Sequence, residues 1–169
     1  EVCEALPGAS LPQPVHHWTA DGTGEDRVGE VDLDNGRYAA GRFGQSFTFQ
    51  GDGTGTINTF PVEVLIPRES LFSISAWISP RTAGGVQTII SQLGGRNRAR
   101  LGDYAFRVSG NKLQFFIRPA DANKVELVSS SEDIPVGAWT HVTVVYGIAN
   151  NEPSAMRLYI NGQLDGETV

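Results

Sequence analysis

The 169-residue chain has a single cysteine, Cys3, and a single methionine, Met156. One thiol excludes an internal disulfide; Cys3 could pair with another chain or anchor a lipid, and its plainest reading is a free thiol in a frayed terminus. No apolar run approaches the roughly 18 residues a membrane-crossing helix needs, which speaks against membrane insertion. Runs of Ala, Leu, Glu and Lys are scarce, and no window of about 11 residues carries a helical stripe. Basic residues are also few. Thirteen Lys and Arg against 19 Asp and Glu leave a formal charge of -6, a poor balance for nucleic acid, whose phosphates need clustered cations. G-x-S-x-G, P-loop and dinucleotide motifs are missing, and His16, His17 and His141 lack zinc spacing. Binding without an organic cofactor is the expectation these absences leave. The chain opens at Glu1 with neither Met nor an apolar leader, so it reads as a mature or excised piece.

What the chain has instead is 20 glycines and nine prolines, the composition of many turns and short strands. Residues 1–15 hold three prolines and little periodicity and read as a tail or linker, with one folded domain over 16–169. A first short strand is expected around His17-Trp18-Thr19-Ala20, followed by a Gly- and Asp-rich stretch to Gly36. Ser46 to Phe49 forms the next strand. Phe72, Ile74, Ala76 and Ile78 alternate with Ser73, Ser75, Trp77 and Ser79, the period of two that marks a half-buried strand ending at Pro80. Thr88 to Ser91 follows. Tyr104, Phe106 and Val108 point inward, Ser109-Gly110-Asn111-Lys112 turns, and Leu113, Phe115 and Ile117 return as a hairpin. Val125 to Val128 is a short strand. Val142, Val144 and Tyr146 alternate, as do Met156, Leu158 and Ile160, before the sharp Asn161-Gly162 turn into Gln163-Leu164. Nine or ten strands at such spacing predict an all-β, two-sheet antiparallel sandwich or jelly roll with little helix.

Six segments in order resemble the laminin G-like jelly roll of the concanavalin A-like lectin and glucanase superfamily. They are FGQSFTFQGDG (43–53), LFSISAWISP (71–80), TIISQLGG (88–95), YAFRVSGNKLQFFI (104–117), PVGAWTHVTVVY (135–146) and MRLYINGQL (156–164). The resemblance implies a secreted, periplasmic or cell-surface module of a larger protein that binds glycans or extracellular proteins. It also implies a calcium ion near the N-terminal strand and its following loops. Family members usually continue past the Asn-Gly hairpin into a last strand or two beside the first strand. By that comparison residues 16–169 lack the final strand or strands, and the open edge invites strand pairing with another chain.

Candidate site residues follow from these patterns. Trp77, Arg107, Phe116, Arg118, Trp139, His141, Arg157 and Tyr159 fall on the alternate face from the core positions. Aromatic rings with planar donors suit a sugar-binding surface. Trp77 and Trp139 lie in the segments that carry the family resemblance and are read as packing residues, which leaves Phe116, Arg118, Arg157 and Tyr159 as ligand candidates. The loop with Arg96, Arg98 and Arg100 would suit an acidic or sulfated glycan. Acidic residues gather between Asp21 and Asp52, and Asp21 is the carboxylate best placed for calcium, with Gly44 and Gln45 adding carbonyls. Glu30-Val31-Asp32-Leu33-Asp34 resembles the E-x-D-x-E strand of the glucanase branch. Asp34 is a methylene short, however, and Asn35-Gly36 ends any strand, so a solvated acidic turn is expected and enzymatic activity is not.

Overall fold

The computed structural model describes residues 13–34, 36–50, 72–92, 103–118, 125–147 and 155–168. They fall into two compact units, Glu1–Phe60 and Pro61–Val169. Among the described residues there are ten strands and no helix.

The first unit is organised by one carboxylate. Asp26, its side chain fully enclosed, accepts the backbone N–H of His17 at 2.9 Å, Val28 at 3.2 Å, Gly29 at 3.0 Å and Val31 at 3.3 Å. His16 Nδ1 lies 2.6 Å from the same carboxylate, and the imidazole stacks on Trp18 with ring centroids 5.4 Å apart. The Trp18 indole N–H donates to the Val31 carbonyl at 2.8 Å. Loop amides that would otherwise be orphaned are satisfied by this carboxylate, which is why a Gly- and Asp-rich stretch without periodicity holds one conformation. The strand expected at 17–20 is only an isolated bridge, Trp18 to Asp26, because Asp26 takes the amides a ladder would use. Strands β1 (Tyr38–Ala40) and β2 (Gln45–Phe47) form a small antiparallel hairpin closed by the Gly41 amide on the Gly44 carbonyl.

The second unit is the sandwich. Strand β3 (Phe72–Ile78) pairs antiparallel with β8 (Thr140–Gly147), β8 with β9 (Ala155–Ile160), and β9 with β10 (Gln163–Thr168), in the order β10-β9-β8-β3. The facing sheet has the order β4-β5-β6-β7, from Val86–Gln92, Tyr104–Ser109, Lys112–Ile117 and Glu126–Asp133. One core cluster unites the two inner faces. Tyr104, Phe106, Leu113 and Phe115 from one sheet meet Val142, Val144, Tyr146, Met156 and Leu158 from the other, with Phe72, Ile74, Ala76 and Ile78 packed against them. Phe115 touches Phe72 and Tyr146 across the gap, at centroid distances of 6.0 and 6.5 Å. Complete burial of one such side chain contributes about 1.5–3 kcal/mol, so these rows are the main source of the sandwich's stability. Burial also pushes the Tyr104 phenol up to about 12.

Two tight turns set the register. Gly110 and Asn111 have φ of 57 and 71°, and Asn161 and Gly162 have 51 and 82°. Positive φ at both central positions gives the turn whose twist matches the flanking strands. Asp165 closes one side of the sandwich. Displaced by a bulge between Leu164 and Gly166, its carboxylate accepts the Ser131 N–H at 2.8 Å, the Ser131 hydroxyl at 2.6 Å and the Glu132 N–H at 3.1 Å. Edge amides of β7 are thereby taken by β10 across the sheet-to-sheet gap.

Candidate binding face

The alternation that buries Ile74, Ala76 and Ile78 turns Ser73, Ser75 and Trp77 outward, and the register places partners beside each. Trp77 is opposite His141, Ser75 opposite Thr143, and Thr143 opposite Tyr159. The Trp77 and His141 rings lie 5.2 Å apart at 55°, and Trp77 is 40% exposed. Ser75 Oγ sits 3.0 Å from His141 Nε2 and 2.8 Å from Thr143 Oγ1, so a hydroxyl chain fixes the imidazole beside the indole. At the end of the row, the Asn161 amide oxygen accepts the His141 backbone N–H at 3.1 Å, and the His141 carbonyl accepts the Asn161 N–H at 2.8 Å. Trp77, His141, Asn161 and Gly162 thus line an open depression of about 340 Å³. An exposed indole face, an imidazole, an amide and hydroxyls in one shallow hollow can stack on an apolar ring face and exchange hydrogen bonds with hydroxyls.

The residues proposed from sequence divide between two opposite surfaces. Tyr159 and Arg157 share the outer face of β10-β9-β8-β3 with Trp77 and His141, and Arg157 Nε donates to Glu167 at 2.6 Å. Phe116, Arg107 and Arg118 belong to the other sheet. There the Arg107 guanidinium lies 5.0 Å over the Phe116 ring, and Arg118 Nη1 is 3.7 Å from Asp103. One site cannot take in both groups. Trp139 is half-buried just before β8. Arg96, Arg98 and Arg100 lie outside the described residues.

Asp21, Gly44 and Gln45 do come together. Asp21 Oδ1 accepts the Gln45 N–H at 2.8 Å. Gly44, with φ of 61°, lets the carboxylate approach where any Cβ would meet it at 2.2 Å. The contact is a donated amide rather than a ring of carbonyls. Among the described residues no group of three or more His, Cys, Asp or Glu is placed to hold a metal, so a calcium ion here would draw most of its six to eight oxygens from carbonyls and water. In the Glu30-to-Asp34 segment no residue lies in a strand, and Asp32 Oδ1 accepts the Asp26 N–H at 2.9 Å.

Trp77 and His141 share the alternate face expected from the sequence, but Trp77, expected to pack, is 40% exposed, and Asn161 was not among the expected site residues. The signal for Trp77 was its parity with Ser73 and Ser75, which puts it outside the core. Nothing in the sequence shows that Asn161, a turn residue, lies beside it.

Residues 51–169 match the laminin G family model of the concanavalin A-like lectin/glucanase superfamily. The chain belongs to that superfamily. Search among curated proteins gives no match. This laminin G-like domain is therefore a binding module in the broad sense, in a superfamily that includes glycosidases as well. Laminin G-like domains generally bind extracellular ligands and are typically extracellular. Among the described residues no helix is long and apolar enough to cross a membrane.

Proposed function

We propose that the domain is a non-enzymatic, lectin-like module of a larger secreted, periplasmic or cell-surface protein, and that it binds glycans at the Trp77 depression. The observation that carries this reading is the set of side chains on one outer face: the partly exposed Trp77 ring beside His141, with Asn161, Ser75 and Thr143 supplying polar atoms around it. A pyranose has one face of C–H groups and a rim of hydroxyls. The indole suits the former, and the amide, imidazole and hydroxyls suit the latter. The residues that line the depression carry no carboxylate, Lys or Arg, and Arg157 on the same face is paired with Glu167, which favours neutral sugars.

The test is a glycan array probed with the wild-type domain and with Trp77→Ala. Binding to a set of neutral oligosaccharides, lost in the variant by about tenfold or more and unaccompanied by release of reducing ends, is the expected outcome. No hits, or hits that Trp77→Ala retains, would overturn the reading. Hydrolysis of a bound oligosaccharide would move the domain to the glycosidase side of its superfamily.

Calcium, where it binds, would sit at Asp21 beside Gly44 and Gln45, and thermal melting measures its contribution. A protein partner is the second reading. It is favoured by the exposed Leu127, at 48%, on the opposite sheet, and Val125, at 52%, just before its strand.

A further inference from the structure

We infer that the outer face of β4-β5-β6-β7 carries a second, separate site that takes a sugar acid through its carboxylate, with Arg107 as the recognition residue. Alternation along β5 buries Phe106 and Val108 and turns Arg107 outward. The register then sets it opposite Gln114, with Thr88 on its other side.

Arg107 is held in one orientation by two neutral partners. Its Nε–H and one Nη2–H donate to Gln114 Oε1 at 3.2 and 3.1 Å, and its guanidinium lies 5.0 Å over the Phe116 ring. A guanidinium has five N–H donors. Two go to Gln114, so the pair at the far end, on Nη1 and Nη2, still forms a fork of the spacing a planar carboxylate fills with two parallel hydrogen bonds.

Charge sets this residue apart from the other described cations of its sheet, Lys112 and Arg118. Arg118 lies near Asp103, Lys112 bonds Asp133, Arg157 bonds Glu167 and Arg27 bonds Glu25. Arg107 has no carboxylate among the described residues, and its positive charge is balanced only by an amide oxygen and a ring face. A half-buried cation fixed without a counter-ion attracts an anion that has one plane, and the rotamer entropy of ordering the arginine has already been spent. Beside the fork, Phe116 and the exposed Leu127 are register partners on the same face. That apolar strip suits the C–H face of a pyranose whose carboxylate sits on Arg107, and Ser129, opposite Gln114, offers a hydroxyl.

This site is independent of the Trp77 depression, which lies on the opposite surface of the sandwich. The experiment is isothermal titration of the domain with an oligomer of β-linked glucuronic acid, and with the same oligomer after its carboxyls are reduced to alcohols. The inference requires that the uronide bind and that the reduced oligomer bind about tenfold more weakly or worse. Arg107→Gln and Arg107→Lys should both lose that difference, since lysine keeps the charge but not the fork, while Trp77→Ala retains it. Phe116→Leu, which keeps the fork and removes the ring, should weaken the uronide less than either. Equal binding of the two oligomers, or no uronide binding, overturns the inference without any variant having to fold. So does Arg107→Lys that binds as wild type, or a uronide signal abolished by Trp77→Ala instead. A sulfated neutral oligomer that binds more tightly than the uronide would overturn the choice of carboxylate.

Discussion

The residue that decides most in the first unit is Asp26. Burial by itself pushes its carboxyl up, but the His17, Gly29 and Val28 amides and the His16 imidazole outweigh that and hold it well below the usual carboxylate range. A folded-state pKa below the unfolded value stabilises above the unfolded pKa of roughly 4 and ceases to do so as pH falls towards the folded one. Wild-type melting should therefore lose this stabilisation below about pH 4. Asp26→Asn, which puts an NH2 group against backbone donors, should cost about 3 kcal/mol at neutral pH, with a shallower fall in acid. Melting of both proteins from pH 7 to pH 3 checks it, and parallel curves would show that Asp26 is not the hub. The importance of Asp26 was not legible in the sequence. It is one of seven acidic residues between positions 21 and 52, and what distinguishes it is four amides delivered by a loop without period. Asp21 with Gly44 and Gln45 was legible as a group, though the bond that joins them is a donated amide.

At the scale of the elements, the sequence specified the strands of the sandwich well because each has one buried face. Period-two alternation with a hydrophobic core on one side leaves a single workable register, and a slip of β8 by one residue would expose Val142, Val144 and Tyr146 together. The short β1 has little core to bury and was not anticipated. The last strand extends to Thr168, beyond the expected Leu164, since a bulge at Asp165 breaks the alternation that would have revealed it. Alternation also says which residues leave the core but not on which sheet they emerge. That is why Phe116 and Tyr159, alike in sequence, stand on opposite surfaces. Asp165 provides a test of the closure. Partial burial pushes its carboxyl up, but the Ser131 hydroxyl and the Glu132 and Ser131 amides hold it below its ordinary value. Asp165→Ala should destabilise the sandwich by about 1 kcal/mol and free the β7 amides. Urea unfolding would show the first, and faster hydrogen exchange confined to Ser131 and Glu132 the second. Unchanged exchange there would mean that the two edges are held some other way.

For the whole molecule, family membership and the sandwich establish a binding scaffold, and fold alone does not choose a ligand. Calcium is tested by melting in EDTA and then in excess CaCl2. An ion that binds only the folded state adds about 2.7 kcal/mol at a hundredfold excess over its Kd, a shift of several degrees that Asp21→Asn should remove. Identical melting temperatures in the two buffers would withdraw calcium from Asp21. The central claim is that a glycan occupies the Trp77 depression. Its most direct test is amide and indole NMR of the labelled domain during titration with the neutral oligosaccharide that binds best on the array. Saturable shifts should centre on the Trp77 indole N–H and the amides of Ser75, His141, Thr143, Asn161 and Gly162, with Arg107 and Gln114 on the opposite sheet unmoved. Shifts that leave Trp77 untouched and gather on another surface would contradict the account.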